Sequence, residues 1–118
     1  MDSMTIIILL LIFILVMHLV EEIKAGFRKN LPFGEMPRHI FIVINIFVYT
    51  FCFTTLSLSL VGSELAIPFA WVFAIGIAIN GLGHIGIMIV KRGYFPGGIT
   101  AFLLVPVSIL LGIELLSK

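Results

Sequence analysis

Apolar residues in this chain come in long runs, without the strict alternation of a half-buried strand. Four runs stand out, at about residues 4–22, 39–61, 66–90 and 97–116. Each is close to the ~20 apolar residues that carry a helix across roughly 30 Å of hydrocarbon. Pro68 falls in the first turn of the third run, where proline is tolerated, and Pro106 inside the fourth predicts a kink. The links between runs are about 16, 4 and 6 residues long, short enough to make neighbouring helices antiparallel. The pattern therefore predicts an all-α membrane protein: a single domain over residues 1–118, an up-down bundle of four transmembrane helices.

Composition agrees. Hydrophobic residues make up 61% of the 118 and charged residues 11%, against roughly 45–50% and 25% in a soluble domain. The net charge of +1 offers no basic excess for nucleic acid, and none is expected as a partner. The single cysteine, Cys52, excludes an internal disulfide and any cysteine-built metal site within one chain. Residues 1–20 could pass for a signal peptide, but Asp2 is the only charge ahead of the apolar run, and Glu21, Glu22 and Lys24 follow it. An uncleaved first span is expected.

Charge placement orients the bundle. Lys24, Arg28, Lys29 and Arg38 lie in the first link, and Lys91 and Arg92 in the third, so those two links hold six of the seven cations. Cytoplasmic loops collect Lys and Arg. Both termini are therefore expected outside a cell membrane, with both basic links cytoplasmic. Trp71 and Tyr94 then fall near the two interfaces.

Polar residues within spans are costly and mark function. His18 precedes Lys24 by six residues, His84 precedes Lys91 by seven, and Asn45 follows Arg38 by seven. At 1.5 Å per residue, all three lie roughly 9–10 Å inside the cytoplasmic boundary. Thr100 in the fourth run is slightly shallower. His18, Glu21 and Glu22 share one helix face, and so do Asn80 and His84, with Gly76 on the same stripe and Gly83 beside it. Small residues allow close helix approach, which predicts a central third helix with its Asn/His stripe inward.

Each residue also has a plainer reading. Glu21 and Glu22 can simply end a helix, reaching for water or for Lys24 and Arg28. His84 and Asn45 can be interhelical glue, and His39 a surface residue beside Arg38. Glu114 and Lys118 read as a solvated pair, and Thr54, Thr55, Ser57 and Ser59 as helix-packing groups. A loose internal echo runs through His18, Lys24, Gly26, Phe27, Pro32 and His84, Lys91, Gly93, Tyr94, Pro96.

His18-Leu19-Val20-Glu21-Glu22 reads H-x-x-E-E, His84 supplies a second histidine, and Tyr94-Phe95-Pro96-Gly97 reads Y-x-P-G. In that order, over nearly the whole chain, these motifs resemble the HXXEE-motif family of small bacterial and archaeal membrane proteins. The resemblance implies enzymatic activity at the motif residues and assigns no reaction.

Two imidazoles with one or two carboxylates at one depth make a first shell for a divalent metal; zinc and iron both fit. The expected ligands and catalytic groups are His18, His84, Glu21 and Glu22, with one glutamate as ligand and the other free to act as general base. A metal-free acid/base pair is the simpler variant. Asn80, Asn45 and Tyr94 are expected to contact the cofactor or substrate. Pro96 stiffens the turn after Tyr94, and Gly97 and Gly98 give it a tight return: a lid or head-group contact, or only a turn. The expected activity is a hydrolase or oxygenase acting on a lipid or other apolar molecule from the cytoplasmic leaflet. A small proton-coupled transporter or channel using the same residues is the alternative, and a scaffold subunit a third reading. Membrane lipids are expected partners, and a homo-oligomer stays open.

Overall fold

A computed structural model describes residues 1–118. The chain is all-helical: α1 (Ser3–Ala25), a 3-10 turn (Phe27–Lys29), α2 (Arg38–Leu60), α3 (Ala66–Lys91) and α4 (Gly98–Leu116). All four α-helices are long and apolar enough to cross a membrane. Their ends match the runs read from sequence to within three residues.

Local chemistry sets those ends. The Asp2 carboxylate accepts from the Thr5 N–H and caps α1. Gly26, at φ 77°, stops the same helix in the left-handed conformation, where its N–H donates to the Glu22 carbonyl. Pro37 precedes α2. The α3 helix ends at a left-handed Arg92, and the Gly93 N–H closes the turn on the Met88 carbonyl. Gly97, at φ 93°, turns the chain into α4, which runs on as one helix through Pro106. In the long link, the Arg28 guanidinium binds Glu35 at 3.0 Å and reaches the Met36 carbonyl.

Three helices share the core. Ile8, Leu11 and Leu15 of α1, Ala70, Phe73 and Ile77 of α3, and Leu104 and Leu111 of α4 are buried in one cluster. Gly81 is the close-approach glycine, since a Cβ there would come within 2.7 Å of the Val105 side chain on α4. By contrast α2 is peripheral: only Cys52, Thr55 and Ser59 are buried on it, against ten residues on α1. Large apolar side chains, such as Phe13, Phe47, Ile79 and Phe102, face outward from all four helices.

Several expectations change here. Gly76 and Gly83 sit at no helix seam, because a Cβ at either would meet nothing within 4 Å. The Asn80 end of the α3 stripe is exposed, while His84 is buried. Glu114 and Lys118 do not pair with each other: Glu114 accepts from the Ser3 hydroxyl and Lys118 lies 3.8 Å from Asp2. Of the α2 hydroxyls, Thr54, Thr55 and Ser57 bond carbonyls of their own helix, and only Ser59 reaches across, to Thr5 on α1. The internal echo is partial, since α1 ends on a left-handed Gly26 but α3 on Arg92, one residue ahead of Gly93.

Candidate functional site

The last turns of α1 carry two carboxylates to two different destinations. Glu22 is one helical turn beyond His18 and points with it into the bundle; both are buried, as is His84 of α3. Glu22 Oε2 lies 3.5 Å from His18 Nε2 and 3.4 Å from His84 Nε2. The two imidazoles meet edge to face, with centroids 4.6 Å apart.

Glu21, one residue earlier, turns toward the start of α4. It accepts from the backbone N–H of Ile99 at 3.1 Å and of Thr100 at 2.9 Å, from the Thr100 hydroxyl at 2.7 Å and from the Tyr94 phenol at 2.5 Å. A carboxylate on the free N–H groups of a first helical turn is well placed, because those donors lack intrahelical partners and the helix dipole is positive there. Partial burial and the Glu21 carboxylate together push the Tyr94 phenol up to about 12, so it remains a donor at neutral pH.

Thr100 joins the two halves. Its Oγ1 is 2.6 Å from His18 Nδ1. A threonine hydroxyl has one proton to give, and an ionised Glu21 can only accept. The Thr100 proton therefore goes to Glu21, and His18 Nδ1–H must donate to Thr100. That fixes the tautomer of the neutral ring, in which His18 Nε2 carries a bare lone pair. This atom is buried without a hydrogen-bond partner, as is Nδ1 of His84. A lone pair facing a carboxylate oxygen is two acceptors face to face, which a proton or a cation between them would stabilise.

The donor set suits a metal. One ligand atom from each of His18, Glu22 and His84 lies within 4.8 Å of the other two. Tetrahedral zinc, with bonds near 2.0–2.1 Å, separates its ligands by about 3.3 Å, close to the 3.4 and 3.5 Å observed from Glu22. The Glu21–Thr100–His18 chain is the kind of outer support that orients a metal-binding imidazole.

Gly97 and two phenylalanines enclose the cluster. A Cβ on Gly97 would overlap both imidazole rings, and its φ of 93° disfavours a side chain independently. Phe27 and Phe95 pack on the His84 ring at 5.4 and 5.3 Å. His18 and Glu22, together with Phe27, also line a cavity of about 710 Å³. Asn45 and Asn80 lie on its wall; the Asn45 amide donates to the Phe41 carbonyl of its own helix.

Of the residues picked out in the sequence, His18, Glu22 and His84 converge. Glu21 and Tyr94 join each other at α4 instead, and Asn45 and Asn80 line the cavity. Thr100 showed in the sequence only as a polar group near the level of the histidines, and Gly97 only as a glycine giving the turn after Tyr94 its tight return. Nothing in the sequence marked Phe27 or Phe95 as ring partners of His84.

Residues 9–111 match the family described as "Protein of unknown function with HXXEE motif". The chain belongs to that family. No curated protein and no solved structure matches it.

Proposed function

We propose that His18, Glu22 and His84 hold a divalent cation, zinc or iron, and that the chain is a multi-pass membrane enzyme acting on a lipid or other apolar molecule. The observation that carries this reading is the bare, buried Nε2 of His18 facing the Glu22 carboxylate across 3.5 Å. In this reading the four helices alternate in direction across the bilayer, with the termini outside and the six cations of the first and third links at the cytoplasmic face. Contacts between the start of α1 and the end of α2, and between the end of α1 and the start of α4, fit that alternation.

A bound divalent cation supplies Lewis acidity for polarising a carbonyl or phosphoryl oxygen. The chain's own residues do the rest. His18 and His84 present nitrogen donors, and Glu22 neutralises charge between them. Glu21, through Thr100, holds the His18 ring in one tautomer, and Tyr94 steadies Glu21. Phe27 and Phe95 keep water from the link side of the cluster.

A proton-coupled transporter is the second reading, favoured by three ionisable groups in mutual contact. It needs a path for water or substrate on both sides of the cluster, and the phenylalanine rings over His84 argue for the enzyme. The test is elemental analysis of the detergent-purified protein with melting curves in added Zn²⁺, Fe²⁺ and Mn²⁺. Wild type is expected to carry a stoichiometric metal and to be stabilised by it, by mass action on the folded state. His18→Ala is expected to do neither, and His39→Ala to behave as wild type. A wild type indifferent to all three metals sinks the metal reading, and pH-driven flux in liposomes would replace it with the transporter.

A further inference from the structure

The cavity beside the cluster has a shape of its own. It lies between α2 and α3, with α1 as its floor and no residue of α4 on its wall. Its charged and amide groups, His18, Glu22, Asn45 and Asn80, lie toward one end; the rest of the wall is mostly apolar, with Phe51, Phe69, Val72 and Phe73, and the Tyr49 and Thr54 hydroxyls on it are spent on the Leu15 and Thr50 carbonyls. Along α3 it runs from Asn80 to Phe69, a rise of about 16 Å, or about half the ~30 Å hydrocarbon core of a bilayer. Phe47 and Val72 on its rim are largely exposed, so it opens sideways between the two helices.

Gly76 lies in the middle of this wall. It is eight residues from His84, about 12 Å along the helix. A Cβ there would meet nothing within 4 Å. The glycine therefore serves no helix contact, unlike Gly81, and its effect is to leave the groove unobstructed.

Building on the enzyme reading above, we infer that the groove between α2 and α3 binds a single-chain lipid. Its oxygen-bearing head group lies at His18 and Glu22, and its one hydrocarbon tail passes over Gly76 toward Phe69. A length near that of one leaflet and a volume of about 710 Å³ suit one tail. The lateral opening gives the tail entry directly from the bilayer. Because lipid is as apolar as the groove, tail burial adds little affinity. The groove selects by fit, and Gly76 sets the depth available.

Photolabelling of the full-length protein in phosphatidylcholine vesicles tests this, with two probes: hexadecanoic acid carrying a diazirine at its methyl end, or beside its carboxyl group. The methyl-end probe is expected to mark residues 69–73 and the carboxyl-end probe residues 41–45 and Asn80. Excess unlabelled hexadecanoic acid should suppress those adducts and not adducts on the outward-facing Phe13 and Phe102. Gly76→Phe should lose the adducts at 69–73 while retaining wild-type metal content; Val72→Trp repeats the test should the first variant fold poorly. Equal labelling of groove and outward residues by both probes, unchanged in either variant, overturns the proposal even if the protein binds metal. The patterned labelling in a protein that retains no metal leaves the groove standing and removes the metal reading alone.

Discussion

Two polar clusters lie at opposite ends of α1, and they are built from similar residues to opposite effect. At the N-terminal end, Asp2 accepts from the Thr5 N–H at 2.9 Å and hydroxyl at 2.5 Å, so the Ser59 hydroxyl donates to Thr5. Ser3 donates to Glu114, and Lys118 approaches Asp2. There each acceptor meets a donor. At the C-terminal end, Glu22 and two imidazoles are buried together, and His18 Nε2 and His84 Nδ1 have no partner. A satisfied network contributes stability and ties α1 to α2 and α4. The Glu22 cluster is tied to α4 only through His18 and Thr100, and its two unpartnered ring nitrogens contribute no such stability.

Deleting one carboxylate from each end should separate them most clearly. Glu22→Ala is expected to fold as well as wild type or slightly better without metal, since a buried acceptor facing a lone pair is relieved. It should lose metal retention entirely by elemental analysis. Glu114→Ala should keep full metal retention and change only the melting temperature. Metal retained by Glu22→Ala, or lost by Glu114→Ala, would break the contrast.

A subtler change sharpens it. Thr100→Val keeps the shape of the side chain but removes the hydroxyl that links Glu21 to His18. Metal affinity is expected to fall by roughly 10–100-fold, the usual loss when outer support to a ligand is removed. Thr100→Ser should restore it. A titration of apo-protein with Zn²⁺ measures the shift; equal affinity in the valine variant would mean that the His18 tautomer is set by something else.

The smallest effect belongs to the N-terminal end. Thr5 holds the Asp2 carboxyl below its ordinary value of 3.8 by side-chain and backbone hydrogen bonds. A carboxylate whose pKa is depressed on folding stabilises above the unfolded value and loses that contribution as pH falls through the folded one. Asp2→Ala should cost about 1 kcal/mol at neutral pH, as for other helix caps. The difference from wild type should shrink as pH falls below 3.8. Melting curves across that range measure it, and metal content should not change.

The helices were legible in the sequence because a run of about 20 apolar residues has one low-energy backbone solution in hydrocarbon, with every amide bonded internally. The caps at Asp2 and Gly26 were not picked out there, although they too act within a few positions of themselves. Of the site, the sequence supplied the level along each helix and the helix face of His18, Glu22 and His84, since both follow from 1.5 Å and 3.6 residues per turn. It could not separate Glu21 from Glu22. Adjacent helical residues diverge by about 100°, and which of them meets the histidines depends on where α3 and α4 stand around α1. The sequence also pointed to Gly76 and Gly83 as the close-approach glycines of the third helix and passed over Gly81, the one pressed against α4. Those outcomes belong to tertiary packing, where the rotation of each helix about its own axis is fixed by neighbours distant in the chain.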